Sequence, residues 1–342
     1  MVATPLREAG DVAVRTLSAP FVDAFDLLRH GRMWPRSTPR VGWEVVNLDV
    51  GGRVLRYRVT DNAGTRGGVA PIWAMSLHGY FAGGSMYARE SEQLAARLGW
   101  RMVNPSLPGF GGSDPLPVGM VTLSQLTDDL ERIRSHLGIG RMVLLGHSMG
   151  AAIAVRYAAE HPDDVLGVLY RDGVATPDWR HRHGAVARVV GVAMPDVAPV
   201  ADMIASAALD LPDLLVGEVL STIRSLVPDL ARNVRMLARH TPVASMLMEL
   251  DLSDEVRALR ARDVPILAEW GCFDRLVPTS TATEFAQVAG MDVHFVPGGH
   301  SWMLARPGGQ ADVLQTMPWG RAFVDAVVSR RSRPGALDSA SD

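Results

Sequence analysis

The pentapeptide Gly146-His147-Ser148-Met149-Gly150 is the feature that most constrains how this chain can fold. It lies between a hydrophobic strand pattern, RMVLLGHS, and an alanine-rich helix pattern, GAAIAVRYAAEHP. A side chain that projects from so sharp a strand-to-helix turn strains its own backbone, and the neighbouring strand and helix leave no room for side chains on the flanking residues. Glycine on both sides meets that requirement. The pentapeptide therefore predicts an α/β sheet with Ser148 at a strand end, beside a helix N-terminus that favours an anion.

Strand and helix patterns alternate along the chain from about Val41 onward. Short apolar runs followed by segments with helical spacing are typical of a mostly parallel sheet covered by helices on both faces. The pair Gly51-Gly52 predicts a hairpin between the first two strands. The predicted strands are VGWEVVNLDV, RVLRYRVTD, PIWAMSL, WRMVNPS, RMVLLGHS, VLGVLYRDG, PILAEWG and DVHFVPGG, and the other predicted helices cover 85–98, 121–137, 279–288 and 311–328.

The alternation stops within 173–262, which contains helical patterns rich in Leu, Val, Ala and Met but no convincing strand. A helical insertion late in an α/β series predicts a cap over the edge of the sheet where ligands bind. The predicted organisation is a 1–40 N-terminal extension with an amphipathic helix over Val14–Leu28, a first core part 41–172, the cap 173–262, a second core part 263–330 and a disordered tail 331–342.

Composition excludes several classes of protein. The net charge of −3 predicts no nucleic-acid partner, and the single cysteine, Cys272, allows neither an intrachain disulfide nor a cysteine-based metal site. All 34 basic residues are arginine, so no lysine exists to form a Schiff base with a cofactor or to bind phosphate in a Walker-A loop. We expect no metal and no cofactor. No signal-peptide pattern and no long apolar run occur, which predicts a cytoplasmic protein without a transmembrane segment.

The tripeptide His78-Gly79-Tyr80 follows the strand PIWAMSL directly. An oxyanion hole needs one N–H from the residue after the nucleophile and a second from a loop that faces it across the strand ends. The sequence therefore predicts that Met149 and Tyr80 supply these two N–H groups. His78 is interpreted as structural.

The base that activates Ser148 should be a histidine late in the chain, on a loop after a strand. His300 follows DVHFVP and the flexible pair Gly298-Gly299, whereas the nine other histidines lack such a context. The acid that orients this base should also follow a strand. Asp274, after PILAEWG, is the preferred candidate, and Asp172, after VLGVLY, is the alternative because a neighbouring strand end can reach the same histidine.

With these motifs in place, residues from about 41 to 330 resemble the α/β-hydrolase superfamily, specifically its capped serine hydrolases. One departure is Ser106, where relatives often carry an acid. The resemblance implies a Ser148–His300–Asp274 triad that acts through an acyl-enzyme. A serine at the elbow argues against epoxide hydrolases and haloalkane dehalogenases, which use aspartate there. The motifs are HGY at 78–80, PGFGGSD at 108–114, GHSMG at 146–150, GCFDRLVP at 271–278 and PGGHSW at 297–302.

The apolar cap suggests the substrate class. Its stretches Val189–Val200 and Met203–Leu220 are nearly free of basic side chains. Such stretches are more often ordinary packing between cap helices and core. The alternative is an apolar acyl pocket, which would take a small hydrophobic acyl substrate such as an ester, thioester or lactone. Alternatives remain open at this point: C–C bond hydrolysis, perhydrolysis or cofactor-free oxygenation on the same fold, or a non-catalytic small-molecule receptor. The methionines interpreted as adaptable apolar surface are Met194, Met203, Met236, Met246 and Met248.

Overall fold

A computed structural model describes most of the predicted core and part of the predicted cap. The described residues are 41–61, 70–117, 119, 121–174, 176–182, 219–236 and 239–333. The predicted N-terminal extension with its helix, the central part of the predicted cap with Met194 and Met203, and nearly all of the predicted tail lie outside the described residues.

The core is an eight-stranded sheet in the order β1-β2-β4-β3-β5-β6-β7-β8. Strand β2 pairs antiparallel with β1 and β4, and every other neighbouring pair is parallel. The predicted hairpin and the mostly parallel sheet are confirmed. The strands are β1 Trp43–Asp49, β2 Val54–Thr60, β3 Trp73–Leu77, β4 Arg101–Pro105, β5 Met142–His147, β6 Val165–Arg171, β7 Ile266–Gly271 and β8 Val293–Val296.

Helices cover both faces of this sheet, as the alternation of patterns predicts. No helix within the described ranges combines the length and apolar character needed to cross a bilayer. The helices are α1 Ala88–Leu98, α2 Leu123–His136, α3 Met149–Glu160, α4 Pro177–Arg182, α5 Val219–Arg235, α6 Thr241–Met248, α7 Ser253–Ala261, α8 Thr279–Ala289, α9 Trp302–Ala305, α10 Gly309–Thr316 and α11 Pro318–Arg331.

Successive residues of the central strands pack into two separate apolar clusters, one on each face of the sheet. In β5, Leu144 packs with helices α2, α3, α7 and α8, whereas Val143 and Leu145 pack with α1, α10 and α11. Side chains alternate between the faces of a strand, so a strand buried on both sides must be apolar throughout. The uninterrupted apolar run MVLL in β5 meets that requirement.

The prediction of a single final helix over 311–328 is wrong. The structure has two helices there, α10 and α11, separated by Met317 in extended backbone with φ −79° and ψ 141°. Pro318 is the cause, because proline disfavours the helical conformation of the residue before it and lacks the N–H that would continue the helix. Proline is well suited to the first turn of a new helix, where it stands in α11.

The described part of the predicted cap consists of helices rather than strands, and they pack in different places. Helix α5 contacts α9, which follows the predicted catalytic histidine. Helix α7 instead packs against α3 and α8 on a face of the sheet. The division of the chain into core and cap stays a prediction, since the central part of 173–262 is not described.

A fully buried group of ionisable side chains lies at the end of β6, next to the turn at Ser148. Arg171, at the end of β6, pairs with Glu90 of α1, and Gln310 of α10 lies beside them. Glu269 of β7 is the register partner of Arg171 and is also completely buried. Burial raises the pKa of Glu269 to about 7, even though the Arg171 charge acts in the opposite direction.

We expect Glu269→Gln to remove part of the pH dependence of stability. Because the pKa of Glu269 is raised on folding, the folded state binds more protons than the unfolded state between the two pKa values, and stability is lost as pH rises toward 7. Between about pH 5 and pH 8, the wild-type free energy of unfolding should fall by up to ~3 kcal/mol more than that of the variant. Urea unfolding at both pH values measures this difference. Parallel losses in both proteins would contradict it, and Glu249→Gln, at an exposed site, is the control.

Candidate active site

Ser148 is the residue that joins β5 to α3, and its backbone is strained. Its backbone has φ 53° and ψ −118°, a region that residues other than glycine rarely adopt. Its N–H donates to the carbonyl oxygen of Arg171 at 3.0 Å, which fixes the turn to the end of β6. Strain of this kind persists only when the surrounding structure holds it in place, and it is concentrated at functional sites.

The glycines on either side of this turn are required by close packing. A Cβ on Gly146 would lie 2.4 Å from the Cα of Ala151, and a Cβ on Gly150 would lie 2.2 Å from the carbonyl oxygen of Leu77. Both distances are to backbone atoms, which cannot move aside. Helix α3 therefore approaches β5 and β3 so closely that only glycine fits, as the steric argument from the sequence expects.

His300 and Asp274 come together at the ends of β7 and β8. His300 Nδ1 lies 2.8 Å from Asp274 Oδ2 in a buried contact. The other carboxylate oxygen, Oδ1, accepts the N–H groups of Leu276 and Val277, each at 2.8 Å. Because Asp274 is held by two backbone donors, its second oxygen has a fixed position from which to orient the imidazole of His300.

Asp172, the alternative acid, lies next to this pair but has other partners. Its Oδ1 accepts the N–H of Gly271 at 2.7 Å and its Oδ2 accepts the indole N–H of Trp302 at 2.9 Å. Ligand atoms of Asp172, Asp274 and His300 all lie within 4.8 Å of one another. Burial, followed by the negative charge of Asp274, raises the pKa of Asp172 well above its usual range. Asp172 is therefore favoured in its neutral, protonated form.

The loop after β3 contacts the turn at Ser148. A Cβ on Gly79 would lie 3.1 Å from His147 Nδ1 and 3.3 Å from the Cβ of Ser148, so the backbone of this loop lies against Ser148. The N–H groups of Tyr80 and Met149 donate to no other residue in the described part of the chain. Met149 is the first residue of α3, where helix geometry leaves the N–H without an intrahelical partner.

His147 links this loop to the predicted base, a role that the sequence does not reveal. Its Nε2 lies 2.8 Å from the carbonyl oxygen of His300 and its Nδ1 lies 2.5 Å from the hydroxyl of Tyr87, which also accepts the N–H of Gly79 at 3.2 Å. A carbonyl only accepts, so Nε2 carries the hydrogen and Nδ1 accepts from Tyr87. Burial, with the nearby His300 as the next cause, lowers the pKa of His147 well below its usual range and keeps it neutral.

His78 holds the same loop from the other side, as its structural interpretation expects. Its Nδ1 donates to the carbonyl oxygen of Gly79 at 2.8 Å, and its Nε2 accepts the N–H of Leu107 at 2.9 Å. Both ring nitrogens are thereby used with the ring neutral. Burial lowers the pKa of His78 to about 4, in agreement with that state.

Helix α5, from the predicted cap, also fixes this loop. The side-chain amide of Asn233 donates to the carbonyl oxygens of Phe81 and Ala82, each at 2.8 Å, and its oxygen accepts the N–H of Gly111 at 3.0 Å. Asn233 is completely buried. One side chain therefore joins the loop after β3 to the loop after β4. Nothing in the sequence signals this contact, which depends on how α5 packs.

Apolar side chains from several elements surround the two predicted oxyanion residues. Tyr80 packs against Phe110 and His240, with ring centroids 5.6 Å and 6.0 Å away. Met149 and Tyr80 belong to the same apolar cluster as α6, whose Met246 and Met248 pack against it partly buried. The buried members of this cluster from α4, α6 and the segment before α4 are Val174, Trp179, Val243, Ala244 and Leu247.

Comparisons with known proteins identify the family to which this sequence is similar. A family model described as the alpha/beta hydrolase fold matches residues 75–307. A protein of Mycobacterium phage D29, named as a candidate non-heme haloperoxidase, is 28% identical over 263 residues, which cover 73% of this chain and 90% of that protein.

Two solved structures show the same fold at low identity. An esterase from Thermogutta terrifontis is 21% identical with a TM-score of 0.58, and the match covers 84% of this chain and 99% of that one. The enol-lactonase from Burkholderia xenovorans LB400 is 21% identical with a TM-score of 0.55, and the match covers 83% of this chain and 100% of that one.

Proposed function

The chain belongs to the alpha/beta hydrolase fold family, and on that premise we propose that it is a serine hydrolase that cleaves carboxylic esters, thioesters or lactones. The observation that supports the proposal most is the 2.8 Å contact between His300 Nδ1 and Asp274 Oδ2. The residue before the strained Ser148, His147, contacts the backbone of the same histidine. Enzymes of this reaction class need a nucleophile, a base and an acid that orients the base. Side chains of those three types, Ser148, Asp274 and His300, are buried and follow the ends of β5, β7 and β8, which supports the proposal.

The proposed reaction begins when His300 accepts the hydroxyl proton of Ser148 and the serine oxygen attacks the carbonyl carbon of the substrate. The N–H groups of Tyr80 and Met149 stabilise the oxyanion that forms. His300, whose charged form Asp274 stabilises, then donates the proton to the leaving alcohol or thiol. A water molecule, activated by His300, releases the acid from Ser148 by the same steps in reverse.

The proposed substrate is a small hydrophobic acyl compound. The apolar cluster that includes Tyr80 and Met149 supports this substrate class, because a binding site is mostly apolar with a few polar groups that fix orientation. The contact of α5 with the loop at Phe81 and Ala82 supports the proposal that 173–262 caps the site.

We expect activity on p-nitrophenyl esters to reach its maximum at a medium acyl length. Each methylene that enters an apolar pocket contributes about 0.8 kcal/mol, so kcat/KM should rise by up to a few-fold per carbon until the pocket is full and then fall. The maximum should lie at roughly four to ten carbons, which ordinary pocket volumes hold. A series of esters from acetate to palmitate measures the profile. A maximum at acetate with a steady decline would contradict an apolar acyl pocket.

Perhydrolysis is a second candidate, favoured by the name of the related phage protein. In that reaction hydrogen peroxide, instead of water, would release the acid from Ser148 as a peracid, and the peracid would then oxidise a halide. Bromide oxidation that requires both acetate and hydrogen peroxide, and that is absent from Ser148→Ala, would favour this candidate over simple hydrolysis.

A further inference from the structure

A cavity lies beside the loop after β4 and takes no part in the proposed acyl chemistry. Its volume is about 260 Å³. The loop residues 109–114 form one wall, and Arg232, Arg235 and Met236, from the end of α5 and the turn after it, form the other. The volume suits a small ionic group better than a whole drug-sized ligand, whose pockets usually exceed about 300 Å³.

Strand β2 adds Arg56 at the same wall and Arg58 nearby. A Cβ on Gly112 would lie 3.1 Å from the Cδ of Arg56 and 3.8 Å from the Cδ of Arg232, so both side chains pack against the backbone of Gly112. Arg58 is near enough to Arg56 and Arg232 that their charges add to burial, the largest cause, in lowering its pKa. Arg56, Arg232 and Arg235 therefore lie at this loop, and Arg58 lies near two of them.

The arginine cluster keeps an excess of positive charge although two carboxylates lie near it. Asp114 lines the cavity, but its Oδ2 accepts the N–H of Val54 at 2.8 Å. Asp229 is buried and accepts the N–H of Ser85 at 3.1 Å, while Arg232 lies 3.4 Å from its second oxygen. Two carboxylates set against four arginines leave an excess of positive charge. Several planar guanidinium groups around a small cavity suit the oxygens of a phosphate.

The cavity is joined to the proposed active site by one turn of α5. Asn233 follows Arg232 directly, and its side chain bonds the carbonyl oxygens of Phe81 and Ala82 on the loop that carries Tyr80. Its oxygen also accepts the N–H of Gly111 in the cavity wall. A group bound in this cavity therefore lies next to Gly111, which Asn233 connects to the loop that carries Tyr80.

We propose that this cavity binds a phosphate group of the substrate, so that the enzyme selects acyl esters or thioesters whose alcohol or thiol part is phosphorylated. This inference rests on the proposed serine hydrolase function for its substrate, but not for the anion site itself. Coenzyme A thioesters are substrates of this chemical class.

The first test measures anion binding without turnover. Inorganic phosphate and pyrophosphate are titrated into the wild-type protein, and binding is followed by chemical-shift changes of the arginine side chains. Binding should weaken about tenfold or more in Arg56→Gln/Arg235→Gln, because charged hydrogen bonds are lost. Arg257→Gln, at an exposed arginine of α7 that pairs with Asp254, is the control. If the double variant does not fold, Arg235→Gln, at an exposed site, carries the same test. If phosphate and pyrophosphate do not bind, or bind equally to wild type and variant, the proposed anion site is overturned.

The second test asks whether the bound phosphate belongs to a substrate. Butyryl-coenzyme A and the uncharged butyryl-N-acetylcysteamine carry the same acyl group on a thiol. In wild type the KM should be lower for the coenzyme A thioester than for the N-acetylcysteamine thioester. In the double variant the KM for the coenzyme A thioester, divided by the KM for the N-acetylcysteamine thioester, should rise about tenfold. An unchanged ratio, with phosphate binding lost, would mean that the cavity binds a free anion and would overturn the substrate assignment. If neither thioester is cleaved, the substrate assignment fails. Activity on p-nitrophenyl esters then decides the serine hydrolase proposal separately, and the phosphate titration still decides the anion site.

Discussion

Ser148→Ala should leave the fold intact and reduce ester hydrolysis at least about a thousandfold. Removal of a catalytic nucleophile abolishes the acyl-enzyme route and leaves only the small rate enhancement that substrate binding and the oxyanion hole provide. The substitution itself is mild for the structure. The Ser148 side chain makes no hydrogen bond to another described residue, so its loss leaves no buried partner unpaired.

The measurement is kcat/KM on the best p-nitrophenyl ester, with circular dichroism and thermal unfolding to show that the variant is folded. Ser329→Ala, at an exposed position of α11, is the matched control and should keep wild-type activity. Residual activity above roughly a tenth of wild type in the Ser148 variant would remove Ser148 from the mechanism.

Asp274→Asn should lower kcat by about a hundredfold to ten thousandfold, whereas Asp172→Asn should lower it by less than about tenfold. Asparagine at 274 keeps the size of the side chain but presents no negative charge to the His300 imidazolium, and it can favour the wrong tautomer of the ring. Asp172 is favoured in its neutral form and contacts Trp302 and Gly271 instead of His300. Its amide analogue therefore loses about one hydrogen bond and no catalytic charge.

Steady-state kinetics of the two variants on one ester compare these effects directly. The two positions are a matched pair, because both are buried aspartates at neighbouring strand ends within 4.8 Å of the same histidine. The opposite order of effects would assign the acid to the end of β6. Equal and large losses would show that the neutral carboxyl at Asp172 is needed to hold Trp302 and the loop that carries His300.

The sequence predicts the fold well because the sheet is built from local patterns. Continuous apolar runs such as MVLL in β5 belong to strands that are buried on both faces, and the structure has all eight predicted strands. The error in the final helix is also local. The predicted range 311–328 continues through Pro318, whose effect on the preceding Met317 divides the segment into α10 and α11.

The geometry of the candidate site is harder to predict from the sequence, because it depends on contacts between residues that are distant in the chain. The motif at 146–150 and the loop at 78–80 are read from short patterns. The contacts of His147 with Tyr87 and with the carbonyl oxygen of His300 span 60 and 153 residues of chain. The link between Asn233 and Phe81 spans 152. No periodicity marks such pairs, because they arise only when the loops at the ends of β3, β5 and β8 are packed together.

Covalent labelling shows whether Ser148 is a nucleophile that His300 activates. A fluorophosphonate reacts with an activated serine hydroxyl and not with ordinary surface serines. Wild-type protein is treated with the probe, digested, and analysed by mass spectrometry to find the modified residue. We expect stoichiometric labelling at Ser148, no labelling of Ser148→Ala, and labelling at least about a hundredfold slower in His300→Ala, which lacks the base. A folded wild-type protein that stays unlabelled, or that is labelled at another serine, would contradict the assignment of Ser148 as the nucleophile.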